Sequence, residues 1–207
     1  MEVTYHGGNC IEIAVKKETI IIDGALSKLG LKDVTAKDAV YVATQKDFSP
    51  TNVEGLHVDG PGEYEVRGVS VKGIASVRMV ELNDDKKATI YRIVVDGISF
   101  VVVGHVRVPL TEDELEQIGV VDIAIVPVGG NGYTSDGHQA TKVVKQLEPK
   151  VVIPTHYADN AISYEVTQHP LEEFIKEMAA EHETVNSYKL KGGTLPAQLT
   201  VVEITRS

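Results

Sequence analysis

A chain of 207 residues, 43% hydrophobic and 24% charged, has material for a substantial buried core and the balance of an ordinary globular protein. Its formal net charge of -10 argues against nucleic acid or an anionic membrane surface as main partner, because both need basic patches. Cys10 is the only cysteine, so neither an internal disulfide nor a cysteine-based zinc knuckle is available. The opening MEVTYHGGN has no basic head followed by an apolar stretch, and no apolar run reaches the roughly 20 residues that cross a bilayer. The expectation is a single cytoplasmic domain over residues 1–207 with no membrane partner.

The first half is strand-rich. Glu2–Tyr5, Ile11–Val15 and Thr19–Ile22 read as consecutive short strands separated by Gly7–Gly8–Asn9 and Lys16–Glu18. Asp23–Gly24 ends the third. Ala39–Ala43 is another apolar run, and a polar loop from Thr44 to Asn52 follows it. Alternating apolar positions around Arg67–Gly68 predict a tight hairpin, and Asp96–Gly97 between ATIYRIVV and ISFVVV is a stronger hairpin signal.

The second half alternates strand and helix. Apolar runs end at Gly104–His105, at Pro127–Gly130 and at Thr155–His156–Tyr157. If those strands lie side by side, the three ends share one rim, where ligands of open α/β sheets gather. Thr111 with Glu114 fits a capping box, and Asp136 with Gln139 can cap a helix whose Ala140, Val143, Val144 and Leu147 share a face. A third helix is predicted from Pro170 as its first residue, and LTVVEIT reads as a last strand. Strands followed by βαβ units predict an α/β (α+β) architecture of two sheets with helices outside.

The opening strand through Gly7 and Cys10, the IIIDG run with Asp23, the GPGEYEVRGV segment and the PLTEDELEQIG…VDIAIVPVGG…EPKVVIPTHY stretch resemble the metallo-β-lactamase fold, a four-layer αββα sandwich. The likeness is greatest to predicted zinc-dependent hydrolases related to ascorbate-6-phosphate lactonase. That resemblance implies one or two metal ions on an H-x-H-x-D-H loop, a further histidine, a bridging aspartate and a final histidine. Carried onto this chain, the loop positions fall on Thr44, Lys46, Phe48 and Ser49. The further histidine falls on Arg78, the bridging aspartate on His105 and an early histidine on Gly8. Only His156 is kept. A catalytic zinc needs three protein ligands and an open position, which Thr44, Lys46, Phe48, Ser49 and Arg78 do not supply.

The expectation is therefore an eroded metal site, with no cofactor, on a non-hydrolytic module that binds a small anionic ligand through Lys46, Arg78, His105, Tyr133 and His156. The alternative is a divergent metal-dependent hydrolase, using zinc or another divalent ion on His105 and His156 with His138 as a third ligand. Its substrate would be a small phosphorylated or lactone-like molecule. Bland readings stand beside these. His156 and His105 can be satisfied polar groups, Lys46 and Arg78 surface cations, and His138 a solvated helix residue. The Gly129–Gly130 turn before Tyr133 either offers amides to an anion or merely joins a strand to a helix. Asp23 is expected to accept backbone hydrogen bonds in every case, and a homo-oligomer stays open.

Overall fold

The computed structural model describes residues 1–82 and 85–207. Strands β1 (Glu2–Gly7), β2 (Cys10–Val15), β3 (Glu18–Ile22), β4 (Ala39–Val42) and β5 (Gly55–Val58) build one sheet. A second sheet contains β6 (Gly62–Val66), β7 (Val69–Leu82), β8 (Asp85–Val95), β9 (Ile98–Val102), β10 (Ile123–Pro127) and β11 (Val151–Thr155). Late in the chain β12 (Glu181–Val185) and β14 (Thr200–Ile204) join the second sheet, and β13 (Tyr188–Lys189) joins the first. The orders are β13-β1-β2-β3-β4-β5 and β12-β14-β11-β10-β9-β8-β7-β6. Helices α1 (Glu112–Ile118), α2 (Gly137–Leu147) and α3 (Leu171–Met178) follow β9, β10 and β11 in turn.

The period-two geometry of a strand explains the layers. Phe100 and Val102 of β9, Ile123 and Ile125 of β10, and Val151 and Ile153 of β11 enter the core between the sheets. Their neighbours Val101, Ala124, Val126 and Val152 face the other way, against Ala140, Val143 and Val144 of α2 and Phe174 of α3. Burial on both faces is why these runs read as continuously apolar. On the outer face of the first sheet, Cys10, Ile21 and Tyr41 pack against Leu26, Leu29 and Ile162, carried by a short 3₁₀ turn at Ser27–Leu29 and by loops. The two-sheet α/β sandwich predicted from the chain is thus observed, with a 3₁₀ turn and loops in place of an α-helix over the first sheet.

Local signals set the connections. Arg67 and Gly68 have φ of 48° and 78°, Asp96 and Gly97 of 51° and 79°, the paired left-handed geometry that twists with its flanking strands. Both capping boxes form: Thr111 Oγ1 accepts from Glu114 N and Asp136 Oδ1 from Gln139 N, with each partner side chain returning to the cap backbone. Pro170 is the residue before α3 rather than its first: its ψ of 149° is extended. Strands β5, β12 and β13 had no signal in the sequence. They are short edge elements, largely exposed, and an edge strand need not alternate. No helix among the described residues is long and apolar enough to cross a membrane.

Phe100 is fully buried at the centre of the inter-sheet core. Phe100→Ala should destabilise the chain by about 3–5 kcal/mol, read as a lower denaturant midpoint with little change in slope.

Candidate binding site at the strand rim

Parallel pairing aligns the strand ends. Ile123 is opposite Phe100 and Val151, and Pro127 opposite Thr155, so β9, β10 and β11 finish at one edge. Beyond β9 the backbone turns at Gly104, where φ is 64° and an added Cβ would lie 2.9 Å from Thr44 Cβ. The next residues hook onto the far end of β7: Met79 N donates to His105 O (2.9 Å) and Arg107 N to Val77 O (2.7 Å). This crossing sets Arg78 opposite Val106, next to His105. Beyond β11, His156 adopts a left-handed φ of 54° and its N–H donates to Gly8 O at 2.8 Å.

Two buried amides fix the imidazoles. Thr155 Oγ1 donates to Asn9 Oδ1 (3.0 Å), which turns the Asn9 amide nitrogen toward His105 Nδ1 at 3.3 Å. The same amide nitrogen lies 3.5 Å from His105 Nε2, so Asn9 holds that edge of the ring. Gln168 Nε2 donates to Val166 O (2.8 Å), so Gln168 Oε1 accepts from His156 Nδ1 at 3.0 Å. His156 therefore keeps its lone pair on Nε2. Gly129 makes this arrangement possible: a Cβ there would meet Gln168 Oε1 and His156 O, each at 2.1 Å. The two imidazoles pack edge to face, centroids 5.0 Å apart and planes at 88°.

Burial governs the charges. It holds His105 well below the usual histidine range, helped by His156 and Arg78. It takes His156 down to about 4, against the Gln168 hydrogen bond. Both rings are neutral near pH 7. Asp23, at the end of β3, accepts from Thr44 N (2.7 Å) and Thr44 Oγ1 (2.6 Å), as its position predicted. Its burial raises it to about 7 against those two bonds.

A cleft of about 560 Å³ opens over this rim, lined among others by Phe48, Arg78, Tyr133, His156 and Tyr164, with exposed Lys46 at its mouth. Arg78 is half-buried and anchored: Nη2 donates to Gln45 Oε1 and Nε to Lys87 O, both at 3.1 Å. Four of the five expected ligand-binding residues thus line one cleft. His105 does not; only 4% exposed, it lies beneath, against Asn9, Tyr133 and His156. His138 is not brought to the rim either. Its imidazole is exposed on α2, 3.6 Å from Glu177 of α3, because the first turn of α2 turns that position outward. The Gly129–Gly130 turn offers no free amide at Gly130, whose N–H donates to Ser135 O and Thr134 Oγ1, both at 3.0 Å. His6, His57, His169 and His182 have local partners in Glu12, Ser49, Glu173 and Glu203.

Asn9, Gln45, Tyr164 and Gln168 belong to the site and carried no motif. Asn9 sits in a plain Gly-Gly-Asn turn, and Gln168 and Tyr164 lie in the loop after β11, where no periodicity points anywhere. Tyr164 and Gln168 reach the rim because His156 reverses the chain there.

A family model described as the beta-lactamase superfamily domain matches residues 2–156. Among curated proteins, a UPF0173 metal-dependent hydrolase of Lysinibacillus sphaericus (strain C3-41) is 25% identical over 196 residues, 76% of this chain and 85% of that protein. Another of that name from Thermococcus onnurineus (strain NA1) is 32% identical over 158 residues, 73% of this chain and 62% of its own length. Among solved structures, a metallo-β-lactamase superfamily member from Thermotoga maritima superposes with a TM-score of 0.75 at 27% identity, covering 99% of this chain and all of that one. Igni18, a metallo hydrolase from Ignicoccus hospitalis, shares the fold at 19% identity and a TM-score of 0.64, over 86% of this chain and 90% of its own.

The metal in those names can be tested against the residues present. Among the described residues, no group of three or more histidine, cysteine, aspartate or glutamate side chains could hold an ion. Thr44 spends its hydroxyl on Asp23, Ser49 faces His57, and Phe48 has no donor. Arg78 places a fixed positive charge on the cleft wall, where it opposes a dication. This donor set does not fit a catalytic metal centre.

His156 has a depressed pKa, so its neutral form stabilises the fold fully above about 6.5, and that stability is lost as pH falls toward about 4. Denaturation between pH 7 and pH 4 should show the wild-type chain losing on the order of 2–3 kcal/mol more than His156→Asn, whose amide keeps the Gln168 bond but does not titrate. Gly129→Ala should cost about 1–3 kcal/mol by driving Cβ into Gln168 and the His156 carbonyl, read in the same assay at pH 7.

Proposed function

We propose that this chain, which belongs to the β-lactamase superfamily, keeps the fold and rim cleft of that family and binds a small anionic molecule there without metal-dependent hydrolysis. One observation carries the reading. Arg78, held by Gln45 and by the Lys87 carbonyl, is a fixed cation on the wall of a cleft whose side chains lack a ligand set for a metal. Among the described residues two of its five N–H donors have protein partners, and the others suit a carboxylate or phosphate. Exposed Lys46 lines the same cleft and adds positive charge. Asp47, Asp59 and Glu165 around the same opening keep the cleft from being uniformly basic, which favours a small anion at Arg78 over a polyanion.

The comparisons weigh on the other side. The curated relatives carry the name metal-dependent hydrolase, and this supports the catalytic reading more than a non-hydrolytic one. Two observations of the site agree with it: His156 presents an unprotonated Nε2 at the cleft, and its Nδ1 is braced by Gln168 in the way a metal-ligating histidine is usually braced. A substrate under that reading would be small and phosphorylated or lactone-like. We place it second, because His105 is turned to Asn9 and His138 to Glu177, which leaves His156 alone among imidazoles on the cleft wall.

Elemental analysis of protein purified without chelator decides between them, with far less than one equivalent of zinc, manganese or iron per chain expected. One tightly held equivalent would transfer the assignment to the hydrolase. In parallel, calorimetric titration with acetate and inorganic phosphate should show binding that Arg78→Ala weakens about tenfold or more, the worth of a charge-assisted hydrogen bond.

A further inference from the structure

We propose that the ligand of this cleft is an anion carried on a flat unsaturated ring, an arene or heteroarene carboxylate or phosphate. The inference rests on the anion-binding reading and specifies its ligand class. The chain is poor in large aromatic side chains: three phenylalanines, eight tyrosines and no tryptophan. Phe48, Tyr133 and Tyr164 all line this one cleft, with the His156 ring among them.

These rings form a connected set. His156 is 4.7 Å from Tyr164 and 5.8 Å from Tyr133, centroid to centroid, at interplanar angles of 45° and 34°. Tyr133 and Phe48 in turn pack against His105, at 4.9 Å and 6.5 Å. The two buried imidazoles are themselves locked by Asn9 and Gln168, so the aromatic set has a rigid back.

Two of these rings, Tyr164 and Phe48, present carbon to the cleft. Tyr164 is half-buried, and its hydroxyl is buried, turned inward toward Tyr5 and the Gly8 carbonyl. The exposed part of Tyr164 is therefore its ring. Phe48 is half-buried and has only carbon to offer. Aliphatic side chains would serve for a saturated ligand, whereas several tilted ring faces reward a planar π-system through offset and edge contacts. Arg78 stands on the wall of the same cleft and meets the charged end. A volume of about 560 Å³ accommodates a ring and an acid group with room for a further substituent.

The test uses the intact chain and matched probes in calorimetric titration: benzoate, cyclohexanecarboxylate and acetate, then phenyl phosphate against inorganic phosphate. Benzoate and phenyl phosphate should bind at least about threefold to tenfold more tightly than their ringless or saturated counterparts, the scale of one or two aromatic contacts. Tyr164→Leu and Tyr133→Leu should erase that preference, and Tyr164→Phe should retain it. Equal affinity for benzoate and cyclohexanecarboxylate, or a preference that survives both leucine variants, overturns the ring. In that outcome acetate binding sensitive to Arg78→Ala still supports the anion site. Absence of binding by every probe overturns both.

Discussion

The in-register parallel pairing of β9, β10 and β11 is the constraint on which the site depends. It brings three chain reversals to one edge, at Gly104–His105, Gly129–Gly130 and His156. Parallel strands require helical crossovers, and α1 and α2 supply them on the outer face, leaving the strand ends open. Two of the reversals depend on a close approach that a larger residue would block. Gly104 lies against Thr44, and Gly129 against Gln168 and the His156 carbonyl.

Buried polar groups at the edge satisfy one another. Thr155, Asn9 and His105 form one chain of hydrogen bonds, His156, Gln168 and Val166 a second, and Thr44 with Asp23 a third. Unpaired, each of these groups would cost on the order of 1–3 kcal/mol, so such a network must be complete to be tolerated. Burial holds both imidazoles neutral, and the Gln168 bond to Nδ1 leaves His156 Nε2 with its lone pair uncommitted.

Membership in a family of named hydrolases and a ligand set that does not fit their metal are compatible facts. A fold hosts many chemistries, and function resides in the residues grafted onto it. Here the graft is a half-buried arginine, a connected group of rings and a carboxylate buried behind Thr44. The carboxylate of Asp23 illustrates the point: it still organises the loop after β4, and through Thr44 it supports the place where Gly104 turns.

Much of the architecture was legible in the amino-acid order because its signals are local. Continuous apolar runs marked strands buried on both faces, Asp96–Gly97 and Arg67–Gly68 marked the hairpins, and Thr111/Glu114 and Asp136/Gln139 marked helix starts. Lys46, Arg78 and His156, singled out through the family resemblance, and Tyr133, singled out by the Gly129–Gly130 turn, line one cleft. Other features were decided only in three dimensions. Whether His105 faces the cleft depends on an asparagine 96 positions earlier, and whether His156 has a free Nε2 depends on the amide of Gln168. Edge strands β5, β12 and β13, the outward turn of His138 and the inward hydroxyl of Tyr164 belong with these. Periodicity and capping act between neighbours a few residues apart, whereas the direction of a buried ring is set by whichever distant group supplies its hydrogen bond.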